Sequence, residues 1–150
     1  MKELFVVAAI IKKDDKILAT QRGYGEFEGL WEFPGGKIEG DETKEEALIR
    51  EIKEELNADI EVEKFALDLE WQYPTFYLYM SCFECVLKGD FELLEHHNAK
   101  WLSKEDLDSV EWIQADVAAV DYLKETVRNI IHSAPSGIVR LLFAIYLFYV

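Results

Sequence analysis

The stretch from Gly36 to Ala58 constrains this chain more than any other. From Glu42 to Asn57 it holds no Gly or Pro, many helix formers, and acids in its first turns, so a helix is expected there. Successive helical side chains are turned by about 100°. With Glu51 at zero, Glu54 falls at about −60° and Glu55 at about +40°. Ala47 and Lys44 share that sector. Leu48, Ile49, Ile52 and Leu56 fill the adjoining sector, about 60° to 160° away. The apolar face must pack, and three carboxylates then stand at its border. Two like charges ~4 Å apart repel by ~4 kcal/mol at an effective dielectric near 20. A hard divalent cation removes that cost, and carboxylate oxygens are the ligands Mg²⁺ prefers. Arg50, four residues before Glu54, can brace the cluster. A charge-rich helix alone is equally well explained as a solvated face. The preceding Pro34-Gly35-Gly36 changes the balance. It reads as a tight turn whose backbone can approach a ligand closely. A Gly-rich turn feeding an acid-bordered helix can hold a metal–phosphate unit.

The rest of the chain supplies strands around this segment. Leu4 to Ile11 and Ile17 to Arg22 read as a hairpin closed by a charged turn. Gly23 to Gly29 is a Gly-rich loop, and Leu30 to Phe33 a short extended piece. Ile60 to Trp71 is strand-like, Phe76 to Leu87 is the longest strand, and Ala99 to Leu102 is a short one. Ser103 to Asp106 carries an N-cap signature for a short helix, and Gln114 to His132 reads as a long amphipathic helix. Strands mixed with two main helices suggest a compact α+β or α/β sandwich. Cys82 and Cys85 are spaced as CxxC, yet on a strand they face opposite sides, so they read as two small buried residues.

The 150 residues are one domain's length, assigned to 1–132, with 133–150 as a hydrophobic tail. The tail is too short to span a bilayer as a helix. It reads as an element packed on the domain or on a second copy, which leaves a homodimer open. The apolar run near the start is flanked by charges and lacks a cleavage site, so the cytoplasm is the expected compartment and no membrane association is expected. The balance of 16 basic against 30 acidic residues excludes wrapping a long polyanion, so no nucleic-acid partner is expected. A small anion can still bind through a local cluster or through a metal bridging carboxylates.

The fixed positions of the central stretch resemble the Nudix box, G-x5-E-x7-R-E-U-x-E-E-x-G-U, with U aliphatic. Gly36, Glu42, and Arg50-Glu51-Ile52-Lys53-Glu54-Glu55-Leu56-Asn57-Ala58 stand at its positions. Asn57 replaces the closing Gly, a mild departure, because Asn is the next-best residue for a left-handed helix end. Val6 to Ile11, Ala19 to Arg22, Leu30 to Gly36, Glu95-His96 and Trp101 to Ser103 extend the resemblance to MutT-type and CTP-pyrophosphohydrolase-like Nudix enzymes. It implies the Nudix fold, an α+β chain folded as an α/β/α sandwich with a mixed central sheet, a loop–helix–loop catalytic motif and a C-terminal helix. It also implies a Mg²⁺-dependent hydrolase, with Mn²⁺ as a substitute, cutting a small-molecule nucleotide. In this branch a (deoxy)nucleoside triphosphate goes to the monophosphate and pyrophosphate. The carried-over metal ligands are the Gly35 carbonyl, Glu51, Glu54, Glu55 and Glu95. The general base is Glu51 or Glu95. Arg50 and Glu42 brace the acids, Arg22 meets the phosphates, and Lys37 joins it as a substrate-binding cation.

The base is read less sharply. Phe33, Trp71, Tyr73 and Phe76 could each stack a base or simply fill the core. Asp116 opens the last helix, where an N-cap role is the plainer reading. In relatives this helix start carries the base-reading residue, and the CTP-pyrophosphohydrolase-like branch has Asp there. An ionised Asp only accepts hydrogen bonds, which suits the exocyclic amine of cytosine, whereas a protonated one could also donate to oxidised purines. The expected substrate therefore leans to cytidine type, standard or modified. The alternatives are 8-oxo-dGTP, a nucleotide sugar, a dinucleotide, or binding without catalysis.

Overall fold

In the computed structural model, which describes residues 1–133, the chain forms seven strands and two α-helices. The order is β1 (Lys2–Lys13), β2 (Lys16–Arg22), β3 (Trp31–Glu32), β4 (Gly35–Lys37), α1 (Lys44–Leu56), β5 (Ile60–Gln72), β6 (Phe76–Leu87), β7 (His96–Ser103) and α2 (Gln114–Ser133). A 3-10 helix, Lys104–Ser109, links the last two. The expected tail beyond 133 lies outside the described residues.

The sheet runs β3-β2-β1-β6-β5, with β4 paired to β1 and β7 to β2. β1 and β6 are parallel and the other pairs antiparallel, so the sheet is mixed as expected. The unbroken apolar run of β1 is explained by burial on both faces. Val7, Ala9 and Ile11 pack with Leu48, Ile52 and Leu56 of α1. Ala8 and Ile10 face the other way, in the core that holds Ile113, Ala119, Val120 and Leu123 beside and on α2. One helix therefore covers each face. Cys82 joins the α2-side core and Cys85 the α1-side core, both as free thiols, as strand alternation requires.

Several local expectations shift. Helix α1 starts two residues later than Glu42. Thr43 and Glu46 form a capping box, with Glu46 N–H donating to Thr43 Oγ1 at 3.1 Å. Glu42 is thereby left outside the helix, free to pair. Asn57 does take the left-handed conformation, at φ 44°, and its N–H bonds Lys53 O. Pro34-Gly35-Gly36 is not a tight turn: Gly35 and Gly36 belong to β4, opposite Ala8 and Val7. A Cβ on Gly35 would stand 2.0 Å from Val7 O, so glycine is needed for the close approach of two strands. Ser103 does not cap backbone; its Oγ donates to Asp106, and the segment winds as a 3-10 helix instead. β5, at 13 residues, is longer than β6 at 12 because pairing carries it through Gln72. Ile49, placed on the apolar face from the sequence, is 47% exposed, since the sheet covers only the Leu48–Ile52–Leu56 side.

Candidate active site

β4, α1, β2 and the start of α2 meet around one cavity of about 510 Å³. Its two ends differ in chemistry. Glu32, Glu51, Glu55 and Glu95, with Arg22 and Lys37, line the polar end. Phe27, Phe33, Tyr73, Phe76 and Met80 line the apolar end, with Asp116 among them. Eight of the residues singled out from sequence thus share a wall: Gly35, Glu51, Glu55, Glu95, Arg22, Phe33, Lys37 and Asp116. Glu54 and Arg50 do not line it.

The three helix acids differ sharply in environment. Glu55 is 8% exposed and accepts from Gly35 N–H at 3.3 Å. Burial, then Glu32, Glu51 and Glu95, push its carboxyl up to about 9. Glu51 is partly buried, and burial raises its pKa against the pull of Arg50. Glu54 departs from the expected border position: its side chain is 53% exposed. Arg50 joins two of them, Glu51 and Glu54, to Glu42 and the end of β4. Its Nη1 donates to Glu51 Oε1 at 2.8 Å and Glu54 Oε2 at 3.2 Å, and its Nη2 to Glu42 Oε2 at 3.0 Å and Lys37 O at 2.9 Å. The bracing expected of Arg50 and Glu42 is present. Glu95 is exposed in the segment just before β7.

Asp116 is not an N-cap. It lies inside the first turn of α2, 5% exposed, and its Oδ1 accepts from Phe33 N–H at 3.0 Å. Burial pushes its carboxyl up to about 8, which favours the protonated form that the sequence left open beside the ionised one. Phe33 is 3% exposed and stacks on Trp112 at 4.7 Å, and Tyr73 packs between Phe27 and Phe76. Trp71 is 38% exposed and does not line the cavity.

A family model, the NUDIX domain, matches residues 2–127. The chain belongs to the NUDIX family. It is 33% identical over 123 residues to the CTP pyrophosphohydrolase of Escherichia coli K12, covering 81% of this chain and 91% of that protein. It is 31% identical over 137 residues to the 8-oxo-dGTP diphosphatase of Haemophilus influenzae, covering 87% and 98%. The solution structure of the E. coli ORF135 protein superposes with a TM-score of 0.77 at 31% identity, over 89% of this chain and 96% of that one. The chain is therefore a Nudix hydrolase, and Nudix enzymes act on small-molecule nucleotides and generally use a divalent metal. Among the described residues, no helix is long and apolar enough to cross a membrane.

The donor chemistry of this Nudix site suits a hard cation. Its polar end gathers carboxylate oxygens, and Glu55 carries the cost of their mutual repulsion. Gly36 makes room for one of them: a Cβ there would lie 2.3 Å from the Glu51 carboxyl carbon. Among the described residues, no three acidic or histidine side chains already converge as a metal cluster. Gly36→Ala should therefore displace Glu51 and lower kcat about 100-fold, the scale of a misplaced catalytic group, with little change in Tm. Steady-state kinetics beside a melting curve checks this, and an unchanged kcat would mean that Gly36 serves only the chain path.

Sequence reasoning gave no role to Glu32, Tyr24 or His96. Glu32 and His96 sit inside quoted stretches, next to Phe33 and Glu95, but no local pattern says that they face one another.

Proposed function

We propose that this enzyme hydrolyses a (deoxy)nucleoside triphosphate, standard or oxidised and leaning to cytidine type, to the monophosphate and pyrophosphate. The observation that carries this reading is the two-ended cavity. One end suits a metal–phosphate unit and the other a flat base beside a buried carboxyl. Water adds to phosphorus, and the bridging oxygen leaves with pyrophosphate. Glu51 or Glu95 takes the proton from that water. The Gly35 carbonyl, Glu51, Glu55 and Glu95, which line the polar end, would hold Mg²⁺, with Mn²⁺ as a substitute; Glu54, which does not line it, is a further ligand on the strength of the box resemblance alone. Bound there, the ion would neutralise phosphate charge and make water more acidic. Arg22 and Lys37 meet the phosphates. Burial pushes Glu55 and Asp116 toward the neutral form, which leaves four carboxylates in the lining (Glu32, Glu39, Glu51, Glu95) against these two cations, so a triphosphate needs the metal to enter.

At the base end, neutral Asp116 offers one accepting and one donating oxygen. That pair suits the N3/N4 edge of cytosine, in keeping with the similarity to the CTP pyrophosphohydrolase. A second reading follows from the same protonation: the O6/N7–H edge of 8-oxoguanine also sets an acceptor beside a donor. A panel of standard and modified triphosphates with Mg²⁺, scored for pyrophosphate against phosphate, tests both. Pyrophosphate from cytidine-type substrates, abolished by Glu54→Gln and with base preference altered by Asp116→Asn, is the expected result. Turnover of 8-oxo-dGTP alone would favour the second reading. No turnover of any triphosphate would sink the proposal.

A further inference from the structure

Three neighbouring strands bring together a polar cluster beneath the polar end of the cavity. β2 pairs β3 at Thr20↔Glu32 and β7 at Arg22↔His96, with a bulge between Gln21 and Arg22. Such a bulge re-aims the side chain that follows it. The Arg22 guanidinium lies between two groups. Its Nη1 donates to Glu32 Oε2 at 3.2 Å, and its carbon stands 4.9 Å from the Tyr24 ring centre. Glu32 Oε1 is in turn 3.1 Å from His96 Nε2. The His96 side chain is only 3% exposed, and the same nitrogen is 3.9 Å from Glu55 Oε2.

We infer that His96 is a positioning residue, whose Nε2–H holds Glu32 so that Glu32 in turn aims the Arg22 guanidinium at the substrate's phosphates. This inference rests on the proposed reaction only in its last clause, the phosphate. A carboxylate paired with a guanidinium accepts hydrogen bonds, so the imidazole donates from Nε2. Nδ1 is buried with no hydrogen-bond partner among the described residues. An imidazole buried with one nitrogen unpaired costs stability that a leucine of similar bulk would not. Space-filling therefore does not account for His96, whereas a fixed donor between Glu32 and Glu55 does. Without that donor Glu32 loses the contact that fixes its carboxylate opposite Arg22, and the guanidinium loses its anchor.

Two measurements test this. Ring ¹⁵N shifts of His96 in the unmodified protein should show hydrogen on Nε2; hydrogen on Nδ1 alone overturns the inference, because Nε2 could not then donate. The second is kinetic, on whichever nucleotide is turned over. His96→Leu should raise KM about tenfold, the size of one charge-assisted hydrogen bond, while kcat holds. His96→Gln, whose amide N–H can reach the place of Nε2, should restore most of it. In an Arg22→Ala background His96→Leu should add nothing. A fall in kcat at constant KM would place the action of His96 on Glu55 and overturn the inference, as would losses that multiply in the Arg22→Ala background. If His96→Leu does not fold, His96→Asn, too short to reach Glu32, takes its place. A protein that hydrolyses no nucleotide sinks the proposed reaction and leaves the tautomer to decide the Glu32 contact. A reversed tautomer in an active enzyme sinks this inference alone.

Discussion

Glu55→Gln is expected to melt above the unmodified metal-free protein at pH 8, and yet to lose about 10³-fold in turnover, the scale of a lost metal contact. The two effects share one cause. Glu55 is buried, and burial and three neighbouring carboxylates push its carboxyl from 4.5 up to about 9. Below 4.5 both folded and unfolded chains hold the proton, so its charge costs nothing. Between 4.5 and about 9 the unfolded chain has released the proton while the folded one keeps it. Stability therefore falls as pH rises through that window, by about 1.4 kcal/mol per pH unit for each such group. Glutamine cannot ionise, so its slope should be shallower. Some slope should remain, because Asp116 is raised from 3.8 to about 8 and acts in the same direction. A divalent cation reverses the logic by favouring the carboxylate. Mg²⁺ should thus raise the Tm of the unmodified protein more at pH 8 than at pH 5, and that of the variant little at either. Scanning calorimetry at both pH values, with and without Mg²⁺, decides the matter. Parallel slopes for the two proteins would remove Glu55 as the source.

Arg50→Ala is expected to cost about 100-fold in kcat, although Arg50 does not line the cavity. Its guanidinium spends its donors on Glu42, Glu51, Glu54 and the Lys37 carbonyl, tying the end of β4 to the acidic face of α1. Without it Glu51 loses its 2.8 Å partner and is free to take other rotamers. Arg50→Lys should not rescue, because an ammonium cannot fork to several acceptors in fixed geometry. The same substitution has a pH signature. The Arg50 hydrogen bond holds the Glu42 carboxyl down at about 2. A depressed folded pKa contributes stability above 4.5, lost as pH falls toward about 2. The variant should therefore fall behind at neutral pH and draw level near pH 2. A Tm difference that persists unchanged into acid would show that packing, and not this ion pair, had been removed.

Much of the local structure around this site was legible from local rules, while its ligand and substrate residues came from the resemblance to the Nudix box. Box spacing, the rotation of α1 and the left-handed Asn57 depend on chirality and helix period, which act within a few residues. The opposite facing of Cys82 and Cys85 follows from strand alternation in the same way. The apolar run of β1 was legible as a strand, and its burial on both faces came from the packing of α1 and α2. The capping box Thr43–Glu46 was equally local, and its signal in the sequence was overlooked.

Other features depend on which distant segments meet. Glu54 and Glu55 are adjacent in sequence and identical in chemistry, yet one is exposed and the other buried, because only Glu55 turns beneath Gly35 of β4. Asp116 is pushed toward its neutral form by burial in the surrounding apolar wall, against the pull of the Phe33 N–H, 83 residues away. Glu32 and His96 acquire their partners through the registers of β3 and β7 on β2. Local chain geometry thus determined which groups this protein carries and how each element turns them. Tertiary packing decided which of them lose water and face one another, since desolvation and charge pairing act through space and not along the chain.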